Sequence, residues 1–124
     1  MNRKPFEGLL TESNSKVIEV LLVNPDSHYF MTDLAIETGL SRPTISKVIN
    51  DISRFGILRY SIGGRIGINM HSPISKAINN FNLELNKWVA IQELEKQREE
   101  IEDQDTVDLL DIAIEEIKDG YLHD

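Results

Sequence analysis

Residues 31–55 read MTDLAIETGLSRPTISKVINDISRF, and this stretch decides the fold. Thr32 is a good N-terminal cap for a short helix, and Gly39 suits the left-handed conformation that ends one. Ser41 is a second capping residue, and the proline that follows is tolerated in the first turn of a helix. Four apolar side chains then recur at helical spacing, namely Ile45, Val48, Ile49 and Ile52. The stretch therefore predicts two short helices joined by a sharp turn, the second burying one apolar stripe.

The second of these helices exposes a polar face opposite its apolar stripe. The residues on or beside that face are rich in hydrogen-bond donors: Ser41, Arg42, Thr44, Ser46, Lys47, Asn50 and Arg54. Such donors suit base edges and phosphates, and the helix N-terminus at Ser41 and Arg42 favours an anion. On an isolated helix a solvent-exposed face is the commoner explanation. After a short helix and a glycine turn, the pattern is a helix-turn-helix, which favours DNA binding.

Short elements flank this motif on both sides. A helix is predicted from Ser13 to Val23, capped by Ser13 or the next residue, and a strand stub at His28–Met31. Downstream, two extended runs at Ile57–Ile62 and Ile66–Met70 are separated by a pair of glycines. This arrangement predicts a tight β-hairpin.

Two arginines, Arg59 and Arg65, bracket the glycine turn of the predicted hairpin. A mobile basic tip can enter a DNA minor groove or hold a phosphate, because a narrow groove attracts arginine. A plain solvent-exposed turn is the alternative. The neighbouring helix-turn-helix favours the DNA-binding interpretation.

A seam of large apolar residues begins after the helix start at Ser72 and Pro73. Its members, at spacings of four, three, four and three, are Ile74, Ile78, Phe81, Leu85 and Trp88. The seam either packs on its own domain or forms a partner surface. Because exposing it to water would be costly, we expect a homodimer interface. A last helix from Thr106 to Lys118, capped by Gly120, is predicted to fold back onto it.

Charge is distributed unevenly along the 124 residues, whose formal net charge is −8. Residues 1–80 carry nine Lys/Arg and seven Asp/Glu, whereas residues 81–124 carry four and fourteen. The sequence thus predicts a DNA-binding domain at residues 1–72 and a helical, acidic dimerisation segment at residues 73–124. The fold class expected is mainly α with a small β-hairpin.

Composition also excludes several classes of protein. Hydrophobic residues make up 40% of the chain, too many for a disordered one, and without cysteine it forms no disulfide or thiolate metal site. No apolar run approaches the roughly 20 residues needed to span a bilayer, so a cytoplasmic protein without membrane contact is expected.

Enzyme and metal chemistry find no support in the residue pattern. The histidines His28, His71 and His123 lie far apart in sequence, and the acidic stretch at 99–111 lacks the glycine of a calcium loop. No nucleophile and base stand at a recognisable spacing. We therefore expect no enzyme activity, no metal and no cofactor.

Two runs, Leu34–Lys47 and Phe55–Leu58, resemble the winged helix-turn-helix transcriptional regulators. Asn69–Ala77 looks like the strand-to-helix junction of archaeal and bacterial regulators in the MarR, ArsR and TrmB-like group. The resemblance covers about Ser13 to Ala77. It implies that the helix from Ser41 enters the major groove, that the hairpin is the wing, and that helices outside this core build a dimer.

The expected function is therefore that of a sequence-specific transcriptional regulator that binds duplex DNA as a homodimer. Two alternatives stay open: a protein-interaction module within a larger assembly, and a plasmid or viral protein for partition or copy control. The sequence names neither an operator nor an effector, and it leaves room for an effector or a protein partner.

Overall fold

The structure is a computed structural model that describes residues 4–101 and 103–122, except for the side chains of residues 121 and 122. It is mainly helical with one small antiparallel hairpin, which confirms the expected class at this level. The elements in chain order are α1 Pro5–Leu9, α2 Glu12–Val23, α3 Met31–Thr38, α4 Arg42–Ser53, β1 Leu58–Tyr60, β2 Ile66–Ile68, α5 Pro73–Glu100 and α6 Gln104–Leu122.

The chain divides into two compact units between Ile78 and Asn79, within α5. We call residues 1–78 the N-terminal unit and residues 79–124 the C-terminal unit. The functional boundary expected at residues 72 and 73 stays a prediction.

The start of α2 differs from the sequence prediction. Thr11, rather than Ser13 or Asn14, is the N-cap, and its hydroxyl accepts from the Asn14 backbone N–H at 3.1 Å. The buried Asn14 amide donates to the carbonyls of Gly8 and Leu9 at 3.0 and 3.1 Å. It thereby satisfies two carbonyls at the end of α1, a helix that the sequence analysis did not predict.

Helix α3 also begins earlier than predicted. Thr32 lies inside the helix, so its prediction as N-cap was wrong; Phe30 holds that position and its backbone N–H donates to the Asp33 carboxylate at 2.9 Å. The end is as predicted, because Gly39 has a φ of 73° and its N–H donates to the Ala35 carbonyl. A residue with a β-carbon would be strained at that φ.

Helix α4 follows the prediction closely. The Ser41 hydroxyl accepts from the Thr44 backbone N–H at 3.3 Å, and all four residues of the predicted stripe are buried. They join a core built by α1–α4 and the hairpin. The buried core of the N-terminal unit is Leu9, Val17, Ile18, Leu21, Leu22, Leu34, Ile45, Val48, Ile49, Ile52, Ile57, Ile66 and Ile68.

The hairpin has a defined register, in which Leu58, Arg59 and Tyr60 of β1 pair with Ile68, Gly67 and Ile66 of β2. On the other edge of β2, Tyr29 forms an isolated bridge with Ile66, two backbone hydrogen bonds of 2.8 Å each. The predicted strand stub is thus reduced to this bridge, which pairs the second edge of β2 with the segment before α3. Two successive glycines with φ of 91° and 78° make the turn, as the sequence predicted.

In the C-terminal unit, two ion pairs join α5 and α6. Arg98 lies 2.6 Å from Asp111, and Lys118 lies 3.2 Å from Glu95. Gly120 lies within α6, so its prediction as a helix cap was wrong, and α6 extends beyond the predicted Thr106–Lys118 at both ends.

In the first turn of α6, the Thr106 hydroxyl donates to the carboxylate of Asp103, the residue before the helix, at 2.7 Å. This hydrogen bond, reinforced by the backbone N–H groups of Asp105 and Thr106, holds the pKa of Asp103 below its ordinary value. Over the described ranges, no helix combines the length and the apolar character that crossing a membrane requires.

Candidate functional site

The exposed face of α4 gathers the seven residues that the sequence singled out there. Six of them are exposed and Thr44 is half-buried; the six are Ser41, Arg42, Ser46, Lys47, Asn50 and Arg54. Behind them the stripe is fully enclosed, with Ile45 and Ile52 at 0% exposure. The face is therefore backed by a rigid core, and its side chains are available to a ligand.

At its N-terminal end, this face carries positively charged side chains and no carboxylate. The first turn of α4 holds no acidic residue. In the described part of the chain, neither Arg42 nor Lys47 forms an ion pair with a carboxylate. Arg54, at the other end, lies 3.0 Å from Asp51, which neutralises much of its charge locally. The cationic part of the face is thus its first two turns, at the positive end of the helix dipole.

The two hairpin arginines have different surroundings. Arg59 is half-buried, and its Nη2 donates to the Pro25 carbonyl at 2.8 Å. Its side chain runs over Gly67, where an added β-carbon would lie 3.1 Å from the Arg59 Nε and 3.0 Å from the Ser27 carbonyl oxygen. Arg59 therefore fastens the hairpin to the turn after α2 and does not project from the tip.

Arg65 is the exposed arginine of the hairpin. Its guanidinium carbon lies 5.2 Å from the centre of the Phe30 ring, within the range of a cation–π interaction. Phe30 is itself half exposed at the start of α3. This contact orients the Arg65 side chain while its charge stays accessible to solvent.

Sequence reasoning missed one feature of the hairpin tip. Ile62, which was placed in an extended run, lies beyond the end of β1 in the turn and is 99% exposed. Its position directly before two glycines was the signal, because those glycines fix the turn and exclude Ile62 from the paired strand.

The predicted seam on α5 is largely open to solvent in the single chain. Phe81 is 57% exposed and Trp88 is 51% exposed, and Ile74 and Leu85 are also exposed. Ile78 differs, because it is half-buried and packs against the core of the N-terminal unit. Three large side chains of the seam in the C-terminal unit, Phe81, Leu85 and Trp88, are thus exposed in the single chain.

A second apolar pair, Leu109 and Ile112, is exposed on α6. Four carboxylates stand three or four residues from one or other of the pair and flank it along the helix, namely Asp105, Asp108, Glu115 and Glu116. The α5 seam has one carboxylate at such a spacing, Glu84, which pairs with Lys87 at 3.5 Å, so the surroundings of the α6 pair are the more acidic.

Metal ligands do not converge in the part of the chain that the structure describes: no group of three or more His, Asp or Glu is placed to hold an ion. His28 and His71 are within that part, and His123 lies outside it. Compared with known protein families and with curated proteins, the chain matches none significantly.

Proposed function

We propose that this chain is a winged helix-turn-helix protein that binds duplex DNA sequence-specifically, as a homodimer, to regulate transcription. Helix α4 is the recognition helix in the major groove, and the β1–β2 hairpin is the wing. One observation carries the proposal: α4 presents a donor-rich face without acid in its first turn, on a stripe of buried residues.

Distinct roles follow from the positions of the side chains on α4. Arg42 and Lys47 are exposed cations suited to phosphates, or to the acceptor edge of guanine. Asn50 has both a donor and an acceptor, the pair that reads adenine in the major groove. Ser41, Thr44 and Ser46 are short hydroxyl residues that let the backbone of α4 approach the DNA closely.

The basic residues outside the first turns of α4 contribute unequally. Arg65 is the exposed cation of the wing and contacts the flanking backbone or minor groove. Arg54 adds little because Asp51 already pairs with it, and Arg59 acts indirectly by holding the wing to the Pro25 carbonyl.

The homodimer is assigned to the α5 seam formed by Phe81, Leu85 and Trp88. These residues follow one another at four and three positions and share a helix face, which continues at the uncharged Gln92. Burying such side chains is worth roughly 1.5–3 kcal/mol each. The α6 pair is a poorer surface for a second copy, because its carboxylates would face their own equivalents.

The test of the recognition helix is a pair of variants measured on duplex DNA. Lys47→Ala weakens binding to all sequences and lowers the magnitude of the slope of log affinity against log salt by about one. Asn50→Ala relaxes base preference at one position by about 1–3 kcal/mol. Fluorescence anisotropy gives the affinities, and selection from a random duplex pool gives the preferences.

The matched control is Lys16→Ala, which removes an exposed cation of α2 that pairs with Glu12 at 3.7 Å. It is expected to leave affinity and preference unchanged. If Lys47→Ala and Asn50→Ala both behave like this control, α4 is not the recognition helix.

A second candidate function, a protein-interaction module, is favoured by the acidic α6 face around Leu109 and Ile112. Exposed apolar residues flanked by carboxylates suit a basic partner. The double variant Leu109→Ser/Ile112→Ser separates the two functions, since it would abolish capture of such a partner and spare DNA binding. A chain that binds no duplex at all would favour this second function.

A further inference from the structure

The most exposed large apolar side chain of the described residues is at the tip of the hairpin. Ile62 is 99% exposed, so it contributes nothing to the core and its apolar surface is in water. Surface substitutions at such a site change folding stability by no more than about 0.5 kcal/mol. Whatever free energy the side chain supplies must therefore come from contact with something outside the chain.

The backbone makes the tip narrow and well defined. The Ser61 N–H donates to the Arg65 carbonyl at 2.9 Å, and the Gly64 N–H donates to the Ser61 carbonyl at 3.1 Å. Within the closed turn, Gly63 and Gly64 carry no side chains. Ile62 and Arg65 are consequently the large side chains that the tip presents.

We propose that Ile62 is an apolar wedge that enters the DNA minor groove and partly unstacks one base step, while Arg65 neutralises the adjacent phosphates. The proposal rests on the proposed function, since it requires that α4 and the hairpin bind duplex DNA. Proteins that insert isoleucine, leucine, methionine or phenylalanine between base steps kink the duplex by about 20–90°. Pyrimidine–purine steps unstack most easily, so Ile62 adds a preference for such a step beneath the wing.

Charge separates the tip from Val23, another exposed apolar position of the N-terminal unit. Val23 is 85% exposed, but it shares a shallow surface groove with Lys16, Glu19 and Glu37, so the charge around it is negative on balance and disfavours DNA. Ile62 has Arg65 three residues away across the turn. Val23 is therefore the matched control position for an apolar-to-polar change.

The test measures bending of the duplex most enriched from a random pool by the parent protein, labelled with a fluorophore at each end. Ile62→Ser is expected to lose the bend, to bind about tenfold more weakly and to lose the step preference beneath the wing. Ile62→Leu keeps an apolar side chain at the tip, so the bend, the affinity and the step preference should match those of the parent. Val23→Ser behaves like the parent, and thermal unfolding checks that every variant folds.

Two outcomes overturn the inference in different ways. If Ile62→Ser binds and bends the duplex as the parent does, Ile62 is no wedge and the proposed DNA-binding function stands. If the parent binds no duplex, the proposed function fails and the wedge fails with it.

Discussion

The two compact units use their apolar residues in opposite ways. The N-terminal unit buries thirteen isoleucines, leucines and valines in one core, although a few such as Val23 and Ile62 stay exposed, and it leaves polar side chains on the outer face of α4. The C-terminal unit fully buries Ile91 and Ile114 among its described residues, and leaves Phe81, Leu85 and Trp88 in contact with solvent. The first unit thus holds a core of its own, whereas the second exposes much of what a core requires.

This difference in burial suggests different roles for the two units. A pair of helices with so little buried surface is marginal in water by itself, which agrees with the proposed dimer. The N-terminal unit has a core of its own, and its rigidity positions α4 and the hairpin. We therefore interpret the N-terminal unit as the DNA reader and the C-terminal unit as the part that pairs two readers.

The largest expected effect is a loss of stability in the N-terminal unit that leaves the C-terminal unit unchanged. Ile52→Ala leaves a cavity in the N-terminal core and lowers its free energy of unfolding by about 2–5 kcal/mol. The dimer dissociation constant should hardly change, because Ile52 lies in the other unit. Thermal unfolding at several protein concentrations checks this: only the transition of the C-terminal unit should depend on concentration. A single concentration-dependent transition for the whole chain would contradict the division.

The next effect concerns the α5 seam. The triple variant Phe81→Ser/Leu85→Ser/Trp88→Ser is expected to be monomeric in analytical ultracentrifugation and to bind a two-half-site duplex about 100-fold more weakly, since it loses bivalent binding. The matched control is Leu109→Ser/Ile112→Ser on α6, which should stay dimeric. Trp88 is the single tryptophan of the chain, so its emission should also shift to the red when the parent is diluted to monomer.

If the triple variant stays dimeric and the α6 double variant becomes monomeric, the interface lies on α6 and the charge argument is wrong.

The smallest effect concerns how the hairpin is held. Gly67→Ala forces a β-carbon against the Ser27 carbonyl and Arg59, so the N-terminal unit should lose about 1–2 kcal/mol and DNA affinity should fall severalfold. Gly120→Ala is the control, because no described atom outside its own neighbours lies within 4 Å of its added β-carbon and alanine favours a helix. Chemical denaturation and anisotropy give both quantities. Equal effects of the two substitutions would mean that the contact of Arg59 with the turn after α2 does not position the wing.

Local signals made the centre of the fold predictable from sequence. Gly39, Ser41 and the apolar stripe of α4 act through the backbone within a few residues, so their roles can be read without tertiary structure. The start of α3 was less predictable, because Asp33 reaching back to Phe30 and Thr32 capping directly are both reasonable from the same residues.

The features that could not be predicted from the sequence depend mostly on contacts between residues far apart in the chain. Arg59 and Arg65 look equivalent beside a glycine turn, and only the 2.8 Å hydrogen bond to Pro25 shows that Arg59 faces inward. Helix α1 is too short for a periodic pattern. Gly120 resembled a helix end, but one glycine costs only about 1 kcal/mol and α6 continues through it.

The most direct test of the central claim is selection from a random duplex pool with the full chain at about 150 mM salt, followed by sequencing. We predict an enriched inverted repeat whose half-sites are centred about 10 bp apart, because two recognition helices of a symmetric dimer lie about 34 Å apart on one face of DNA. Direct repeats in arrays would indicate a role in partition or copy control rather than transcription. No enrichment from a folded protein would contradict the claim that this chain reads DNA.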